Sequence, residues 1–164
     1  MRILGIDPAL TVTGFSIIES TKNKQTLLCA GTIKTEYKET FARRLLLLYE
    51  EAIKIIKQFR PDIMVIEKVY VHYRHPTTAF ILGHARGVFL LAAASCGIKI
   101  EELPATRVKK AIVGKGLASK QQIKRMISCQ FRSLPCEYSE DASDALALAV
   151  AYNNITSRKH IFNI

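Results

Sequence analysis

Two apolar runs in this chain end in carboxylates. Asp7 closes "ILGID" and is followed by Pro8, while Glu67 closes "DIMVIE" at 62–67. Further on, "SEDASDALALAVAY" places Asp141 and Asp144 three residues apart, which puts both on one face of a helix. That face also carries Ala145 and Leu148 and should pack inward. Carboxylates on the packing side of an alanine-rich helix are costly unless something cationic neutralises them. Oxygen-only donors suit hard ions such as Mg²⁺ or Mn²⁺. Four carboxylates could hold two ions roughly 3.5–4 Å apart, a pair that activates water on one side of a phosphodiester and stabilises the leaving oxygen on the other. Taken singly, each acid has a plainer use. Asp141 could face a helix dipole, Glu67 could pair with a lysine, and Asp7 could open an Asx-turn into Pro8.

The elements that must bring these acids together are legible as a coarse order. Strands are predicted at 2–8, 12–20 and 26–34, joined by the short turns "PALT" and "TKNK", which suggests an antiparallel meander. A long helix is predicted from about Thr40, its N-cap, to Phe59. Leu45, Tyr49, Ala52 and Ile56 form its expected buried face, with Arg44, Glu51 and Lys54 off that face. "DIMVIE" is then a strand covered on both sides. A helix at about 77–96, a strand at 98–103, helices near 105–112 and 119–132, and a last helix from Ser139 complete the chain. This is an α/β fold, a mixed five-stranded sheet flanked by helices, in a single domain over 1–164 with a disordered tail expected after about 154. The crossover through the long helix should set the strand ending at Glu67 parallel to the first. Asp7 and Glu67 would then emerge at one sheet edge, where ligand sites of open α/β sheets lie.

Composition narrows the partners. The 164 residues carry a net charge of +10, which favours an anionic partner, and their hydrophobic fraction of 49% supports a packed core. From Leu103 to Cys136 there are eight basic residues and no acid: Arg107, Lys109, Lys110, Lys115, Lys120, Lys124, Arg125 and Arg132. A stretch of one sign beside an acidic site suits phosphates running past bound metal. In "KVYVHYRHP", Tyr70 and Tyr73 with Lys68 and Arg74 could stack on unpaired bases, or the rings could simply anchor the loop. His72 and His75 offer no more than a weak zinc spacing, and the four cysteines form no C-x-x-C pair, as expected of a reducing compartment. No secretory signal opens the chain, and the most apolar helix contains His84 and Arg86, so a soluble, cytoplasmic protein without a membrane span is expected. Within that helix Ala79, Gly83 and Gly87 recur every four residues, a small-residue stripe that permits close approach of either the sheet or a second subunit.

Several stretches together closely resemble the RuvC family of crossover junction endodeoxyribonucleases. They are "ILGIDP" with "VTGFSII", "RL" opening the long helix, "PDIMVIEKVY", "LGHARGV", "VKKAIVGKGLASKQQI" and "DASDALALAVAY", covering about residues 2–153. The resemblance implies a ribonuclease H-like fold. It also implies a homodimer that nicks opposing strands of four-way junction DNA with Mg²⁺, and partnership with the RuvA–RuvB branch-migration complex. The family's metal-binding, catalytic acids fall on Asp7, Glu67, Asp141 and Asp144, its phosphate-contacting lysines on Lys109 and Lys120, and its base-stacking aromatic on Tyr70. The helix carrying Ala79, Gly83 and Gly87 resembles the family's dimer interface. Ala9 stands where the family usually has glycine, and "VHYRHPTT" departs from the usual loop.

Three other readings remain to be separated. "GIDPALTVTG" echoes the phosphate loop of actin-like sugar kinases, which need a second such domain and a second glycine-rich loop that this chain lacks. A ribonuclease H-like nuclease acting on structured RNA would cut RNA in preference to a junction. A non-catalytic junction-binding protein would bind without metal.

Overall fold

The computed structural model describes residues 1–22, 24–68, 76–131 and 139–162, with side chains up to residue 157 in the last stretch. The first three strands are β1 (Arg2–Asp7), β2 (Val12–Ser20) and β3 (Gln25–Lys34). They form the expected meander, with β1 antiparallel to β2 and β2 antiparallel to β3. Helix α1 (Phe41–Phe59) carries the chain back to β4 (Ile63–Glu67). Thr40 caps α1 by accepting from the Arg43 amide, and Arg60 ends it in a left-handed conformation just before Pro61. Helix α2 (Pro76–Ser95) leads to β5 (Lys99–Leu103), after which come α3 (Ala105–Val113), α4 (Lys120–Gln130) and α5 (Glu140–Phe162). α5 continues past residue 154, where a disordered tail was expected.

The strand order is β3-β2-β1-β4-β5, with β4 parallel to both β1 and β5. Strand alternation divides the core. Ile3, Ile18, Ile63 and Val65 face α3, α4 and α5, whereas Leu4, Ile6, Ile17, Met64 and Ile66 face α1 and α2. The strands in the middle are apolar on both faces because both are covered, as "DIMVIE" had indicated.

The buried face of α1 differs from the helical-period reading. Its most buried residues are Arg44, Leu48, Ala52, Ile55 and Ile56, while Leu45 and Tyr49 are only half-buried. The face is rotated because the start of α1 packs under the β1–β2 turn and the end of β3, and Arg44 finds polar partners there. α2 is long and apolar enough by composition to span a membrane. It packs Ala85, Phe89, Ala92 and Ala93 against the sheet layer, and Arg86 pairs with Glu102 on β5 at 2.8 Å.

Candidate active site

Register decides where the acids point. Ile6 pairs with Ile66 across β1 and β4, so Asp7 and Glu67 lie one step beyond, at the carboxyl end of both strands. Both follow residues that face α1 and α2, so alternation turns both carboxylates toward the α5 face. The Ser139 hydroxyl accepts from the Ala142 amide and starts α5, which sets Asp141 in the first turn and Asp144 one turn on. Ala145, on the same side, is fully buried, as the small-residue face required.

Two glycines that sequence reasoning passed over bring α5 down onto the strands. A Cβ at Gly14, the residue paired with Asp7, would overlap the backbone carbonyl of Asp141. A Cβ at Gly5 would overlap the carbonyl of Ala145. The backbone that carries Asp141 therefore rests directly on the strand pair that carries Asp7. An isolated glycine inside a strand is the available signal for such close approach.

The electrostatics record the crowding. Burial first, then the like charges of Asp144, Glu67 and Asp141, pushes Asp7 up to about 7, against the opposing pull of Lys120. Glu67 is raised above the usual carboxylate range by burial and by Asp144, with Lys120 and Lys109 acting against the shift. Lys120 donates to Asp144 Oδ2 and to Glu140 Oε1, both at 3.0 Å. Those bonds hold its ammonium well above the usual lysine range, and the Lys120 contact lowers Glu140. Glu140 is a fifth acid the sequence reading did not single out. Its position four residues before Asp144 on one helix was the available sign.

Lys109 on α3 and Lys120 at the start of α4 thus flank the acids, and Lys115 is exposed in the loop between those helices. A capping box between Ser119 and Gln122 fixes the start of α4 and with it Lys120. Tyr70, Tyr73 and Arg74 lie outside the described residues, as do His72, His75 and Cys136. Ala79, Gly83 and Gly87 are not in this cluster. They line an open apolar groove of about 620 Å³ on α2, with Leu45, Phe80, His84 and Leu91. A Cβ at Gly83 or Gly87 would meet nothing within 4 Å, so the stripe does not serve packing on the sheet.

Among the described residues, no three Asp, Glu, His or Cys side chains are close enough together to hold a metal ion. The donor set nonetheless fits a hard divalent cation. Asp144, Glu67 and Asp141 all act on Asp7, Lys120 opposes them, and Lys120 and Lys109 both act on Glu67, so the carboxylates form one acidic neighbourhood edged by lysines.

The family model for crossover junction endodeoxyribonuclease RuvC matches residues 3–152. The chain belongs to the RuvC family. It is therefore a crossover junction endodeoxyribonuclease by class. The RuvC of Geobacter sulfurreducens is 39% identical over 161 residues, covering 98% of this chain and 97% of that one. The RuvC of Hydrogenovibrio crunogenus is 45% identical over 152 residues, 93% of this chain and 87% of that one. Thermus thermophilus RuvC, solved in complex with Holliday junction substrate, superposes with a TM-score of 0.89 at 26% identity over 97% of this chain and 96% of that one. The ribonuclease H-like expectation from the sequence agrees with this RuvC architecture.

Proposed function

We propose that this RuvC-family chain resolves Holliday junctions as a homodimer, by metal-dependent hydrolysis of one phosphodiester in each of two opposing strands. The observation that carries the reading is that Asp144, Glu67 and Asp141 all act on Asp7, which burial first and then those charges push up to about 7. These four would hold two divalent ions per subunit, Mg²⁺ with Mn²⁺ as a substitute. Bound there, the ions would make an attacking water more acidic and neutralise charge on the scissile phosphate. Asp7 and Glu67, fixed at strand ends, hold the rigid side of the site, and Asp141 and Asp144 close it from α5. Lys109, Lys115 and Lys120 would neutralise backbone phosphates, with Lys120 leaving Asp144 and Glu140 for the DNA. Tyr70, with Tyr73 and Arg74, would stack on bases opened at the junction centre. The RuvA–RuvB branch-migration complex is the expected partner, in the cytoplasm.

The deciding experiment is one gel. A labelled synthetic four-way junction should yield symmetric nicks with Mg²⁺ and none in chelator. Preferential cutting of structured RNA, or binding without cutting in Mg²⁺, would overturn the reading.

The homodimer rests on the exposed groove, where Phe80 is 68% and Leu91 61% exposed. Gly87→Leu adds bulk where nothing in its own subunit stands in the way, so the subunit should fold normally. Sedimentation should then show a monomer that cuts junctions poorly. A dimer of ordinary activity would rule out this face.

A further inference from the structure

Arg44 is a cation only 8% exposed, and among the described residues no carboxylate pairs with it. Burying a guanidinium without a counter-ion is expensive, so its contacts should say what the arrangement serves. Its Nε donates to Thr35 Oγ1 at 2.8 Å and its Nη2 to Thr11 Oγ1 at 3.0 Å. The Tyr37 ring lies against the guanidinium, 5.0 Å from centroid to Cζ.

These contacts belong to a longer chain of bonds. The Thr35 hydroxyl donates to the Leu10 carbonyl at 2.6 Å, and the Thr35 amide donates to the Thr11 carbonyl at 3.0 Å. On the other side, Thr13 Oγ1 donates to the Ala9 carbonyl at 2.6 Å and accepts from the Ala9 amide at 3.0 Å. Ala9, Leu10 and Thr11 are therefore all tied down, and they are the turn by which β1 leaves Asp7. A carboxylate at a strand end is only as well placed as the turn that follows it. A turn anchored to a helix through a side chain that is always charged is held in place.

We propose that Arg44 is a positioning residue for Asp7. Through Thr11 and Thr35 it anchors to α1 the turn that follows Asp7, and so fixes where that carboxylate stands at the end of β1. The inference rests on reading Asp7 as a metal ligand.

The test compares Arg44→Gln, Thr35→Val and Thr35→Ser, with Arg44→Gln also made in an Asp7→Asn background. Mn²⁺ affinity of the metal-free protein, junction affinity in chelator, single-turnover cleavage and thermal midpoint are measured for each. Arg44→Gln and Thr35→Val should weaken Mn²⁺ binding and slow cleavage about 10- to 100-fold, the range for partners that orient a metal ligand. Junction affinity should stay within about twofold, because phosphate contacts carry it. Thr35→Ser keeps the hydroxyl and should behave as wild type. In the Asp7→Asn background Arg44→Gln should remove nothing further from Mn²⁺ affinity, since residues acting through one another are not additive. Should Arg44→Gln not fold, Thr35→Val carries the same comparison. Unchanged Mn²⁺ affinity, or an equal loss in the Asp7→Asn background, would overturn the proposal. A wild-type chain that binds no Mn²⁺ would overturn the metal reading itself, and this proposal with it.

Discussion

Asp7→Asn should stop junction cleavage and, in metal-free buffer, make the protein more stable. The loss of cutting should exceed about 100-fold, since even outer partners of metal ligands account for 10- to 100-fold. Junction binding in chelator should persist. The stability gain follows from the sign of the Asp7 shift. In the folded chain its carboxyl is raised from 3.8 to about 7, by burial first and then by Asp144, Glu67 and Asp141. Between those values the folded state binds more protons than the unfolded state, so stability falls as pH rises through the window and stays low above it. At pH 8 the ionised carboxylate costs on the order of 2–4 kcal/mol, which asparagine removes. For a chain of this size the melting midpoint should rise by roughly 5–15 °C. The gap should shrink as pH falls and nearly vanish by about pH 4. Added Mg²⁺ should stabilise the wild type far more than the variant, because only a site with its ligands intact gains from binding. A variant no more stable than wild type at pH 8 in chelator would mean that Asp7 carries no such charge burden.

The burial and like charge that raise Asp7 are also what made the candidate site legible in the chain. A carboxylate at the end of an apolar strand, and another on the inward face of an alanine-rich helix, conflict with local preference, and such conflicts concentrate at functional sites. Asp7, Glu67 and Asp144 each break a local rule, whereas Asp141, in the first turn of α5, keeps one. The β1–β2–β3 meander followed from the short turns, and the parallel setting of β4 against β1 from the crossover through α1, whereas the place of β5 was not read. What escaped reading depends on contacts between distant segments. Arg44 fell off the expected helical face because hydropathy counts a guanidinium as solvent-facing. Its partners Thr11 and Thr35 are 33 and 9 residues away, in segments the helical period cannot see. Lys120 was visible as a basic residue, yet its contact with Glu140 and Asp144 spans 20 and 24 residues. The small-residue stripe on α2 was seen, but spacing alone could not say whether it faced the sheet or the open side.

Gly14→Ala should disable the site without touching an acid. Gly14 pairs with Asp7 across the β1–β2 ladder, and a methyl group there would overlap the Asp141 carbonyl, with the Ala142 amide nitrogen at 2.9 Å. The atoms in the way are helix backbone and cannot rotate aside, so α5 must lift or tilt. A displacement on the order of 1 Å at a catalytic group can cost roughly 100-fold in rate. Overpacking of this kind typically destabilises by about 1–3 kcal/mol. The expected result is therefore a folded protein with a lower melting midpoint, weak Mn²⁺ binding, and cleavage slower by about two orders of magnitude. Gly31→Ala is the control in the same sheet, because its methyl group would meet only the Phe15 ring, at 3.0 Å, and a side chain can give way. Gly5→Ala should resemble Gly14→Ala, since its methyl group would strike the Ala145 carbonyl one turn further along α5. If Gly14→Ala cut junctions at the wild-type rate, the placement of Asp141 and Asp144 by close helix–strand contact would be wrong. A loss in Gly31→Ala equal to that in Gly14→Ala would trace the effect to general strain in the sheet and not to the descent of α5 onto Asp7.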